Sequence, residues 1–152
     1  TMLPEQIHLV IVGRHTEYTD KIERFIKENK LEERVHIISN VPFDDLPAFY
    51  QLAEIFVYPS RFEGFGIPII EALYSGIPVV AATGSCLEEA GGPDSIYVHP
   101  DDIKGMANAF KQIYSDTERK KEMIEKGQKF AKRFSEEKQA EEILNIYKKL
   151  MK

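Results

Sequence analysis

Residues 55–82 read IFVYPSRFEGFGIPIIEALYSGIPVVAA. The apolar run 55–58 is closed by Pro59. Pro68 suits the first turn of a helix, where its missing N–H removes no helical bond. Ile69, Ile70, Ala72 and Leu73 carry that helix on to Gly76, a residue type that readily takes the left-handed conformation on which helices end. Residues 78–82 form a second apolar run. Strand, helix, strand in so short a span predicts a parallel pair with a right-handed crossover.

The pattern repeats outward. Residues 7–12 (IHLVIV) run apolar without a break to Gly13, which predicts a strand buried on both faces. Tyr18, Ile22, Phe25 and Ile26 mark a helical stripe over 18–30. Val35–Ile38 is a second short strand. Asp44 or Asp45 can cap a helix that turns Leu46, Phe49, Tyr50 and Ala53 inward. Residues 95–98 make a weak fifth strand, and Asp101 or Asp102 starts a helix with Met106, Ala107, Phe110, Ile113 and Tyr114 inward. Helices over about 117–133 and 136–151 end the chain; the last lines up Ala140, Ile143, Leu144, Tyr147, Leu150 and Met151. The fold class is therefore α/β, a Rossmann-like parallel sheet with helices on both faces, in one domain over 1–152. Ligands of such sheets bind beyond the carboxyl ends of the strands, so the informative loops are 13–17, 39–43, 59–67 and 83–90.

Composition narrows the function. The chain has 152 residues, 43% hydrophobic and 30% charged, an ordinary globular balance. No apolar run approaches the roughly 20 residues of a membrane span. Residues 1–115 hold 17 acidic and 9 basic groups, and the remainder 8 and 11. An acidic body argues against a nucleic-acid partner, and the mixed tail reads as a solvated helix face. One cysteine, Cys86, excludes an internal disulfide and fits a packing role in a reducing, cytoplasmic setting. His8, His15, His36 and His99 lack metal-ligand spacing, so no metal and no cofactor is expected.

The loop 59–67 carries the chemistry. Gly64 and Gly66 stand just before a helix start. There the backbone lets a ligand approach closely, and unpaired N–H groups favour an anion. Glu63 and Glu71 bracket the glycines. Carboxylates beside a diphosphate repel it, unless they face hydroxyls and accept charge-assisted hydrogen bonds from them. A diphosphate with sugars on both sides, a nucleotide sugar, satisfies both requirements. Arg61 reads as a surface residue, and Glu88 and Glu89 as capping or flanking a short helix.

The stretch EGFGIPIIEALYSGIPVVAA resembles the donor-site signature of family 4 (group 1) retaining glycosyltransferases of GT-B fold: glutamate, seven residues, glutamate, with Gly-Phe-Gly after the first. LVIVG at 9–13, residues 35–41 and 46–60, and LEEAGG at 87–92 extend the likeness to nearly the whole chain. The resemblance implies a hexosyltransferase that moves a sugar from a nucleotide diphosphate sugar (UDP, GDP or ADP type) to an acceptor glycan hydroxyl. Retention would come from the leaving phosphate assisting that hydroxyl, in polysaccharide biosynthesis. Glu71 would hold the ribose hydroxyls. Backbone N–H groups of Gly64, Phe65, Gly66 and Ile67 would meet the diphosphate and sugar. Glu63 would act near the reacting carbon, and Val41, in the turn 39–41, would line the base. The alternative is a non-catalytic nucleotide or sugar-phosphate binding module or an assembly domain.

The resemblance also aligns 7–12 with the second strand of the family's carboxy-terminal domain rather than the first. Arg14, after Gly13, and Lys21 are then not the family's phosphate-binding basic pair. That pair, the first strand and the acceptor-binding half would lie upstream, and the fragment alone would be inactive. The strand order becomes 35–38, 7–12, a gap, 55–58, 78–82, 95–98. Either 7–12 and 55–58 close up directly, or another segment fills the slot, as in an exchanged homodimer. The full-length enzyme would be cytoplasmic, with room for a peripheral place at the inner face of the membrane.

Overall fold

The computed structural model describes residues 2–84 and 86–151. The chain divides into two compact units, Thr1–Leu46 and Pro47–Lys152.

In the first unit β1 (Leu9–Val12) pairs in parallel with β2 (Val35–Ile38), Leu9 opposite Val35 and Val12 opposite Ile38. The connecting helix α1 spans Glu17–Glu28. The Arg34 guanidinium donates to the carbonyls of Pro4 at 2.8 Å and Ile7 at 3.1 Å, fixing the segment that enters β1. One expectation fails here. Leu9, Val10 and Val12 are 41%, 48% and 39% exposed, so β1 is not covered on both faces. Two strands and one helix cannot cover two faces. Along α1, Ile26 is buried whereas Tyr18 and Phe25 are exposed.

Helix α2 (Leu46–Leu52) leads into the second unit. Asp44 and Asp45 do not cap it; they lie in the preceding 3-10 turn Phe43–Asp45. Next come β3 (Phe56–Tyr58), α3 (Ile67–Tyr74), β4 (Val79–Ala82), α4 (Leu87–Gly91) and β5 (Ile96–Val98). Helices α5 (Ile103–Ser115), α6 (Thr117–Ala131) and α7 (Glu136–Leu150) complete it, with a 3-10 turn Lys132–Phe134 before α7. The three strands are parallel with β4 central: Tyr58 lies opposite Ala81, and Ala82 opposite Val98. Within the first unit β1 pairs with β2, and within the second β3 pairs with β4.

All four residues of β4 are buried. Their alternation sends Val79 and Ala81 to a core with Ile69, Leu73, Leu87 and Ala90 of α3 and α4, and Val80 to a core with Ala109, Ile113 and Met123 of α5 and α6. Burying one such Ile or Leu is worth about 1.5–3 kcal/mol. Tyr114, expected inward, is 48% exposed. The α7 stripe is real in sequence, but no residue of α7 is buried, because nothing within the unit covers it. No helix among the described residues is long and apolar enough to cross a membrane.

Helix starts follow local chemistry. Asp102, not Asp101, caps α5 by accepting from the Gly105 N–H at 2.8 Å. Asp116 caps α6 by accepting from the Arg119 N–H at 2.9 Å. Asp116→Ala should lower stability by about 1 kcal/mol, read as a fall of about 2–4 °C in Tm for a chain of this size. An unchanged Tm in thermal unfolding would show that water replaces the cap at no cost.

Candidate functional site

Strand β3 ends at Tyr58, and α3 begins at Ile67 with Gly66 as its N-cap. Gly66 has φ 108° and ψ 42°, a left-handed conformation that favours glycine. It is also buried: a Cβ there would stand 3.0 Å from Leu87 Cδ2 and 3.3 Å from the Ala90 Cβ. Helix α4 thus presses on the loop at the one residue type that fits. Gly64 is exposed, with nothing within 4 Å of where its Cβ would be.

The loop backbone is left open to a ligand. Ile69 N–H donates to the Gly66 carbonyl at 2.9 Å, and Pro68 has no N–H. Among the described residues the N–H groups of Gly64, Phe65, Gly66 and Ile67 meet no protein acceptor. Consecutive unpaired donors leading into a helix N-terminus favour an anion.

The rest of the loop is held from outside. Phe65 packs edge-on against Phe134, ring centres 5.5 Å apart, and Arg133 lies over both Phe130 and Phe134. Cys86 Sγ donates to the Glu63 carbonyl at 3.2 Å. Arg61 is ion-paired with Asp101, whose carboxyl the guanidinium holds below the usual range. Glu88 accepts from the Thr83 hydroxyl and, at 3.3 Å, from the Gly84 N–H, and both lower its pKa. It ties Thr83 and Gly84 to the start of α4.

Both bracketing glutamates are half-buried and each meets a phenol. Tyr50 Oη donates to Glu71 Oε2 at 2.8 Å, and Tyr58 Oη donates to Glu63 Oε1 at 2.7 Å. The rings of Tyr50, Phe56 and Tyr58 run in a chain with centres 5.4 and 5.9 Å apart. Burial first, then the facing carboxylate, pushes the Tyr58 phenol up to about 12 and raises Tyr50 as well. Both phenols are therefore neutral donors at neutral pH.

Six of the seven residues singled out from sequence (Glu63, Gly64, Phe65, Gly66, Ile67 and Glu71) fall on this one strand–loop–helix segment. The seventh, Val41, is half-buried in the first unit after Asn40, whose φ is 60°. Sequence reading missed Tyr50 and Tyr58, which it counted only as apolar positions. It also missed the exposed grouping of His15, Asp20 and Glu23, because the histidine's partners are carboxylates one helical turn apart. His15 Nε2 stands 3.3 Å from Asp20 Oδ1.

The architecture is that of GT-B glycosyltransferases. A sucrose-phosphate synthase from Thermosynechococcus elongatus matches over 95% of this chain and 38% of its own, at 27% identity and TM-score 0.83. Anabaena HepE, solved in complex with UDP, matches over 96% and 42%, at 23% identity and TM-score 0.87, and shows the fold alone. Residues 2–130 match the family described as glycosyl transferases group 1, and the chain belongs to that family. Its relatives include the O-antigen chain mannosyltransferase B of Escherichia coli, 32% identical over 93% of this chain and 37% of its own length. Another is the O-antigen chain mannosyltransferase RfbU of Salmonella typhimurium, 35% identical over 72% and 31%. The chain spans about a third of the length of these curated relatives.

Proposed function

We propose that residues 1–152 are the donor-binding domain of a retaining glycosyltransferase that transfers a sugar from a nucleoside diphosphate sugar to an acceptor hydroxyl. The observation that carries this reading is the run of four N–H donors from Gly64 to Ile67, without a protein acceptor among the described residues and bracketed by Glu63 and Glu71. Those donors take the diphosphate, whose charge grows as the sugar departs, so they stabilise the transition state more than the ground state. Glu71 accepts from the ribose hydroxyls. Glu63 faces the donor sugar near the reacting carbon, and the acceptor is bound by the rest of a longer polypeptide. Relatives named as mannosyltransferases make a mannosyl donor the first candidate.

Calorimetric titration with UDP, GDP and ADP tests the reading and identifies the base. One of the three should bind. Glu71→Ala should weaken that binding by about 1–3 kcal/mol, the loss of charge-assisted hydrogen bonds, whereas Glu63→Ala should barely change it. Equal losses at both positions would end this division of labour. Failure of all three nucleotides to bind the unaltered chain would overturn the proposed function.

A further inference from the structure

The two glutamates of the proposed donor site are gripped in the same way. Tyr50, on α2, and Tyr58, the last residue of β3, reach Glu71 and Glu63 from separate elements, each through a single short hydrogen bond. A glutamate turned towards solvent samples several rotamers. A phenol anchored in a packed aromatic chain selects one of them, and Tyr50, Phe56 and Tyr58 form such a chain. An ionised carboxylate offers about four lone-pair sites. One phenol occupies one of these and leaves the rest for substrate hydroxyls. Neither phenol is replaceable by water without freeing the carboxylate to turn.

We infer that Tyr50 and Tyr58 are positioning residues with separate duties: Tyr50 aims Glu71 at the ribose of the nucleotide, and Tyr58 aims Glu63 at the donor sugar. The inference rests on the donor-site reading of Glu63 and Glu71. Neither tyrosine touches the diphosphate; each acts through its glutamate. Phenylalanine keeps the ring and its packing and removes only the donor, so the substitution isolates that duty.

The test titrates the nucleoside diphosphate that binds best, and then its sugar-bearing form, into the unaltered chain, Tyr50→Phe, Tyr58→Phe and Glu71→Ala, with a melting curve for each. Tyr50→Phe should weaken both ligands by about 3- to 10-fold, the worth of one hydrogen bond. Tyr58→Phe should leave the sugar-free nucleotide unchanged and weaken the nucleotide sugar by a similar factor. A merely structural hydroxyl would lower Tm and move both ligands together, and that result at Tyr58 overturns the inference. If Glu71→Ala weakens binding but Tyr50→Phe does not, the positioning role of Tyr50 falls while the donor site stands. If Glu71→Ala has no effect either, the donor-site reading itself falls.

Discussion

Gly66→Val should destabilise the protein by about 2–5 kcal/mol. A side chain at φ 108° is strained, at a cost of about 1–2 kcal/mol for an L-residue held in left-handed backbone. The added carbons also meet Leu87 and Ala90, which already stand 3.0 and 3.3 Å from where the first would be; overpacking of this kind costs about 1–3 kcal/mol. For a chain of this size the sum lowers Tm on the order of 10 °C. Gly64→Ala is the control. Its Cβ meets nothing within 4 Å, so stability should stay within about 0.5 kcal/mol. The two glycines thus differ: Gly66 lets α4 close on the loop, whereas Gly64 stands in open space, which the proposed donor site would use for its ligand. Thermal unfolding of the two variants decides this, and equal Tm values would contradict it.

The second large effect belongs to Glu63. In a full-length enzyme containing this domain, Glu63→Ala should lower kcat by about 10²- to 10³-fold, the scale seen when one preorganised electrostatic contact to the transition state is removed. KM for the donor should rise much less, by about 3- to 10-fold, the worth of one ground-state hydrogen bond to the donor sugar, because a contact near the reacting carbon matters most in the transition state. Steady-state kinetics separates the two. Normal kcat with a raised KM would make Glu63 a plain binding residue.

Much of the fold is legible in the residues themselves. The unbroken run 78–82 becomes β4, buried along its whole length between β3 and β5. The Pro68-to-Gly76 punctuation marks the helix that becomes α3. The expected neighbours, 7–12 with 35–38 and 55–58 with 78–82, pair as ordered. Periodicity shows which side chains share a face but not whether anything covers it. That is why Leu9 and Val10 of β1, and Ile143 and Tyr147 of α7, are exposed although their patterns look like core.

The candidate site was legible where its signal was local. The glycines and glutamates lie within nine residues of one another in sequence. The phenol of Tyr50 meets Glu71 across 21 positions, and no spacing rule links a helix stripe to a carboxylate on another helix. Tyr58, five residues before Glu63, was close enough to notice. It read only as a strand residue, because an aromatic at a strand end is ordinary sheet chemistry. Asp101 likewise looked like a cap; the pairing that takes it away, with Arg61, spans 40 positions.

The most direct measurement is a crystal structure of this chain with the nucleoside diphosphate that binds it best. The account predicts diphosphate oxygens within about 2.7–3.2 Å of the N–H groups of Gly64 to Ile67, and ribose hydroxyls on Glu71. A nucleotide bound elsewhere, with those four N–H groups facing solvent, would contradict it.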